Sequence, residues 1–182
     1  MDKAVENNIL KLFKEFYEKP AIFLSESDVM CYLYSLLIND PVFKISPTLK
    51  YFSSIMESSE TSLVHAEMQV NIKNRNKIVD ISIFPPERTL DYSDLTIAIG
   101  IEIKYNRRAP ARKEPSSIIE DIKKVSDYKK GYILWLNYDR EISDDHLEKV
   151  EKIVEKYENV KLYYLDIFSE PMKTNVKEIS SI

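Results

Sequence analysis

Three charged residues stand inside runs of Ile and Val. Asp80 lies in "KIVDISIF", and Glu102 and Lys104 lie in "LTIAIGIEIKY". Charges in such runs are costly unless they are paired or bind a metal. Residues two apart on a strand share a face. Leu95, Ile97, Ile99, Ile101 and Ile103 therefore make one apolar face of the second run, and Thr96, Ala98, Gly100, Glu102 and Lys104 make the other. In the first run Val79, Ile81 and Ile83 form the apolar side, with Asp80 and Ser82 opposite. The short connection predicts neighbouring strands, and a suitable register would set Asp80 beside Glu102. Two hard oxygen ligands suit Mg²⁺ or Mn²⁺ and leave the ion several waters. Such an ion lowers the pKa of a bound water and polarises a phosphoryl oxygen. A lysine beside it can orient that water and offset charge developing on the phosphate. The chemistry is that of phosphodiester hydrolysis. The competing reading is a structural ion pair at the sheet surface. Asp121-x-Lys123 and Asp127-x-Lys129 repeat the loose acid-x-Lys pattern, but they fall in a predicted helix, where residues two apart do not face each other.

Composition narrows what else the chain can be. Its 182 residues fit one domain over 1–182, and 44% apolar with 31% charged residues is ordinary for a globular protein. One cysteine, Cys31, excludes an internal disulfide framework and a cysteine-rich zinc site, and two histidines make a histidine-based metal centre a poor fit. No apolar run is long enough to cross a bilayer, so no membrane partner is expected. The start, "MDKAVENNILKLF", carries acids and no cleavable apolar segment, which predicts a cytoplasmic protein. The net charge of −4 argues against nucleic-acid binding over the whole surface. "KYNRRAPARK" nevertheless leaves the Glu102 run as a concentrated basic stretch holding Arg107, Arg108, Arg112 and Lys113. Alone, it reads as a solvated loop. Beside a nuclease site it reads as a phosphate-tracking segment.

The elements that must position these residues follow from periodicity. Val5, Ile9, Leu12, Phe13 and Phe16 predict a helix over 3–19, closed by Pro20. Ser25 and Asp28 predict the cap of a second helix with Val29, Leu33, Leu36 and Leu37 inward. The segment 42–62 carries no clear period, with a short helix expected around 49–56. From Val64 the period becomes two, with Val64, Ala66, Met68, Val70 and Ile72 on one side and His65, Glu67, Gln69 and Asn71 on the other. A third helix is predicted over "EPSSIIEDIKKVSDYKKG", capped by Ser117 and Glu120 and ended by Gly131. "YILWLNY" predicts a strand buried on both faces. A helix capped by Ser143 and a final strand "VKLYYLDIF" complete the chain, the pair spanning 143–168. The order predicts an α/β fold with a mixed central sheet flanked by helices.

Asp80 followed one strand later by Glu102-x-Lys104 resembles the PD-(D/E)xK nuclease superfamily, with Val79 standing where the namesake proline would be. The resemblance covers roughly 25–138. It implies a restriction-endonuclease-like core of helix, three-strand meander, helix and strand. It implies catalytic roles for Asp80, Glu102 and Lys104, and a metal held by Asp80, Glu102 and the carbonyl of Ile103. "LSESDVMCYLYSLL" is similar to the family's first core helix and offers Glu26 as a further catalytic acid, although a first-turn helix acid is also favoured by the dipole. Glu67 is a candidate acidic contact or a solvent-facing strand residue. His65 shares its face. Glu120, Asp121 and Lys124 read as ordinary helix solvation. The expected protein is a Mg²⁺- or Mn²⁺-dependent nuclease acting on DNA, with RNA left open and a homodimer allowed by the family. The alternative is a non-cleaving nucleic-acid-binding or assembly module with the same fold.

Overall fold

The computed structural model describes residues 1–46, 48–53, 56–72, 75–86, 89–91, 97–106, 114–138, 142–169 and 171–176. The helices are α1 (Asp2–Glu18), α2 (Glu26–Asn39), α3 (Glu114–Val125) and α4 (Asp144–Val154). The strands are β1 (Thr48–Ser53), β2 (Met56–Glu60), β3 (Val64–Ile72), β4 (Arg75–Ile83), β5 (Thr89–Asp91), β6 (Ile99–Asn106), β7 (Lys130–Asn137), β8 (Val160–Asp166) and β9 (Lys173–Thr174). Six strands form one open sheet in the order β3-β4-β6-β7-β8-β9. The pairs β3/β4, β4/β6 and β8/β9 are antiparallel, while β6, β7 and β8 run parallel. The protein is thus α/β, with a mixed six-stranded sheet flanked by helices.

The parallel strands need long crossovers, and α3 and α4 supply them. One face of the sheet packs on α1 and α2, where Val5, Ile9, Leu12, Phe13 and Phe16 meet Ile101, Ile103 and Leu134. The other face packs on α3 and α4, where Ile118, Ile122 and Val125 meet Ile133 and Trp135. Strand β7 is buried along nearly its whole length because both of its faces are covered. The α2 cap forms as its sequence predicts. Ser25 Oγ accepts from the Asp28 N–H at 3.2 Å, and Asp28 Oδ2 accepts from the Leu24 N–H at 2.9 Å. At the far end of β8, fully buried Asp166 accepts from the Ile142 N–H at 2.6 Å and from Ser169 Oγ at 2.6 Å, which fastens two connections to the sheet.

Several elements differ from their sequence reading. Where a helix was expected around 49–56, residues 49–53 lie in β1 and Met56 opens β2, its antiparallel partner; β1 also pairs in parallel with β5 to make a second, three-stranded sheet. Helix α3 begins at Glu114, so Ser117 lies inside it and is not its cap. It ends at Val125, and Gly131 belongs to β7. Glycine is required there by close packing, since a Cβ would stand 2.8 Å from the Val125 carbonyl oxygen. Ala66 is exposed although its alternation placed it inward beside Val64. The last parallel strand stops at Asp166, and β9 was not expected.

Candidate active site at the opened β4–β6 seam

The site begins where a ladder stops. Strands β4 and β6 pair at Ile83/Ile99, Ser82/Gly100 and Ile81/Ile101. One residue further on stand Asp80 and Glu102, and the pairing ends. The alternation of β4 breaks at the same point. Ile81 and Ile83 pack toward α1 and α2, whereas Val79, expected beside them, packs toward α3. Ile97 likewise joins the α3 side, ahead of the first residue of β6. In the opposing strand Glu67 has φ 48°, a left-handed conformation uncommon for a side-chain-bearing residue in a strand. The backbone is thus distorted on both sides of Asp80.

Opening the ladder leaves β6 amides in need of acceptors. Carboxylates take that place. The Ile103 N–H donates to Asp80 Oδ2 at 2.6 Å, and the Tyr105 N–H donates to Glu26 Oε2 at 3.2 Å. Glu26 stands in the first turn of α2, so the Ser25 cap that starts the helix also aims this side chain at β6. The Tyr105 hydroxyl donates to the Phe23 carbonyl at 2.7 Å and ties the same segment down. In an extended strand a residue's N–H and C=O point to the same side. The Ile103 carbonyl therefore faces the opened seam along with its amide.

The even-numbered face of β6 turns toward α3. Glu102 is 2% exposed, and its Oε1 lies 2.6 Å from Lys124 Nζ. Lys124 also donates to the Ile78 carbonyl at 3.0 Å. Lys104 Nζ lies 3.2 Å from Asp121 Oδ2 and 4.0 Å from Glu26 Oε1, and Asp121 Oδ1 lies 3.7 Å from Lys124 Nζ. Four carboxylates and two ammonium groups thus share one site. Gly100 makes room beside them for the Tyr128 ring, since a Cβ there would stand 2.5 Å from Tyr128 Cδ2.

The electrostatics follow from burial. Removal from water first, and the Asp80 charge second, push the Glu102 carboxyl up to about 8, with the Lys124 ammonium offsetting only part of the rise. Burial raises Asp80 as well, against the opposing pull of the Ile103 amide and both lysines. Burial raises Glu26, with Lys104 opposing. Burial alone would lower Lys104, but Asp121 and Glu26 outweigh it and hold the ammonium charged. The Tyr128 hydroxyl is raised by burial and then by Glu102.

The donor set fits a divalent ion with an incomplete protein shell. If all six groups ionise, four acids against two lysines leave −2 to be neutralised. Among the described residues no group of three His, Cys, Asp or Glu side chains is placed to hold a metal ion. Two carboxylates, Asp80 and Glu102, with the Ile103 carbonyl are the oxygens that a divalent ion would have to use, and an ion so held would keep several waters, which is the habit of Mg²⁺.

The structure therefore brings together Asp80, Glu102, Lys104, Glu26 and Ile103. It adds Asp121 and Lys124, which the sequence reading assigned to helix solvation. Asp121 is 7% exposed, while Glu120 beside it is exposed as expected. The signal was present. Asp121 follows Ile118 by three residues and precedes Val125 by four, so it borders the core-facing stripe of α3. His65 is held locally, with Nε2 2.7 Å from the Ser62 carbonyl and its ring against Phe84. Glu67 stays exposed. Arg107, Arg108, Arg112 and Lys113 lie outside the described residues.

Fold and site together define an α/β protein with a buried acid–lysine cluster at the opened end of an antiparallel seam. Comparisons with protein families, with curated proteins and with solved structures find no match to the chain. No helix among the described residues is long and apolar enough to cross a membrane.

Proposed function

We propose that the chain is a metal-dependent nuclease that hydrolyses phosphodiester bonds in DNA through a PD-(D/E)xK-type site. One observation carries this reading. Asp80 and Glu102 are held side by side at partial or full burial, where their mutual repulsion is relieved most directly by a shared divalent cation. Asp80, Glu102 and the Ile103 carbonyl would hold Mg²⁺ or Mn²⁺. When bound, such an ion acidifies a coordinated water and polarises a phosphoryl oxygen. Lys104 then offsets charge that develops on the attacked phosphate, and Asp121 and Glu26 hold its ammonium in place. Arg107, Arg108, Arg112 and Lys113 follow Lys104 in the chain and would track the phosphate backbone.

The test is cleavage of plasmid and single-stranded DNA with Mg²⁺ or Mn²⁺. Wild type should cleave, and Asp80→Ala should lose both cleavage and the metal-dependent rise in Tm. Lys104→Ala should keep that rise and most DNA affinity but lose rate by about a hundred- to a thousandfold. Wild-type rates in Lys104→Ala would remove the lysine from the mechanism.

A second reading is a non-cleaving nucleic-acid-binding or assembly module. Its supporting observation is that Lys124 and Lys104 already pair Glu102 and Asp121 internally. It predicts DNA binding without cleavage under any divalent ion.

A further inference from the structure

Lys124 sits where a ligand of Glu102 should sit. Its ammonium is 2.6 Å from Glu102 Oε1, on a carboxylate that is otherwise closed off from water. A second acceptor, the Ile78 carbonyl at 3.0 Å, belongs to β4 two residues before Asp80, so the ammonium spans the opened seam from β6 to β4. A third, Asp121 Oδ1, waits at 3.7 Å on the same helix, one turn back. The charged groups around this ammonium are thus Glu102 from β6, Asp80 from β4 and Asp121 from α3, with Lys104 on the far side of Asp121. Lys124 is also within reach of solvent, with a quarter of its side chain exposed, so the ammonium has a way out.

We propose that Lys124 is a tethered stand-in for the divalent cation: it lies against Glu102 in the metal-free protein and is displaced toward Asp121 when a metal ion binds Asp80 and Glu102. The inference rests on the metal-dependent reading given above. Its physical basis is that a tethered ammonium competes with free ions at a high effective concentration. Metal and ammonium cannot both lie against one carboxylate oxygen, because like charges repel strongly at that range. Lys124 therefore raises the metal concentration needed to fill the site. Departure toward Asp121 is supported by the geometry already present, since Asp121 holds Lys104 at 3.2 Å and has its other oxygen turned to Lys124. A lysine with a purely structural role would behave differently. Its removal would lower stability and leave metal affinity equal or weaker.

The experiment is a calorimetric Mn²⁺ titration of the full chain in three forms: wild type, Lys124→Met and Lys124→Arg. Lys124→Met should bind Mn²⁺ on the order of tenfold or more tightly than wild type, while its metal-free Tm falls. Lys124→Arg keeps the charge and should bind no more tightly than wild type. A wild type without measurable binding beside a Lys124→Met protein that binds would also support the stand-in. Equal or weaker affinity in Lys124→Met, with wild type binding, would overturn the stand-in and leave the metal site standing. No binding in either form would overturn both. Because Lys124→Met leaves buried Glu102 without its polar partner, a second measurement uses the unaltered protein. Reductive methylation of lysines, read by mass spectrometry, should label Lys124 severalfold faster with Mg²⁺ than with EDTA, relative to exposed Lys19. An unchanged ratio would overturn the displacement.

Discussion

At the scale of single residues, Glu102 is the group under greatest electrostatic stress. Burial first, and Asp80 second, raise its carboxyl from 4.5 to about 8. The folded, metal-free protein therefore holds more protons than the unfolded chain between those values. Stability contributed by this group is present below about 4.5 and is lost as pH rises toward about 8. Asp80 and Glu26 are raised too and act in the same direction. In EDTA, Tm should decline from pH 5 to pH 8, and Glu102→Gln should flatten that decline. Saturating Mn²⁺ should do the same in wild type, because the metal favours the ionised carboxylate. A Tm that climbs through this window in EDTA would mean that Lys124 alone keeps Glu102 charged.

At the scale of elements, two glycines set how closely α3 and its following turn approach the sheet. At Gly131 a Cβ would press on Val125, including its backbone oxygen at 2.8 Å, and neither partner can swing away. At Gly100 it would press on the buried Tyr128 ring, which lies beside Glu102. Gly131→Ala should cost roughly 1–3 kcal/mol, the usual scale of overpacking, in urea denaturation, with Mn²⁺ affinity unchanged. Gly100→Ala should lower both stability and Mn²⁺ affinity, since moving Tyr128 disturbs the wall of the site. Equal Mn²⁺ affinity in the two variants would separate Tyr128 from Glu102. This scale is also where the sequence reading erred most. The short 49–56 segment lacks a strong period, and the strand character of its residues 49–53 comes from pairing with β2 and with distant β5. Ser117 matched a capping pattern, yet α3 had already begun three residues earlier. A local signature cannot exclude an earlier start.

At the scale of the whole molecule, a net charge of −4 is carried together with the dense basic stretch that follows β6. Such a charge distribution along the chain would suit the proposed nuclease, by local attachment of a polyanion and not by broad coating. If Arg107 and Arg108 each neutralise a phosphate, Arg107→Ala with Arg108→Ala should reduce the slope of log K against log salt for duplex DNA by about 2, near 0.9 for each phosphate no longer neutralised. Fluorescence anisotropy across 50–200 mM salt measures it. An unchanged slope would place the nucleic acid on another surface. Mn²⁺ affinity at the proposed site should be unaffected in the same double variant, which separates attachment from chemistry.

The sequence by itself determined much of this protein. The apolar stripe of α1, the Ser25 cap of α2, the alternation of Ile99, Ile101 and Ile103 and the apolar run of the almost wholly buried β7 all depend on neighbours within a few positions, so periodicity reveals them. The same alternation marked Asp80, Glu102 and Lys104 as charges needing an explanation. The tertiary structure decided what surrounds them. Only the actual register shows that the β4–β6 ladder ends beside Asp80, and that Asp80 and Glu26 then cap the freed amides of Ile103 and Tyr105. Only the packing of α3 brings Asp121 and Lys124 onto Lys104 and Glu102, because that approach depends on how the crossover helix lies on the sheet. A helix acid and a helix lysine look the same in a sequence whether they face water or a buried carboxylate. The difference is set by the distance between two elements, and no local pattern encodes it.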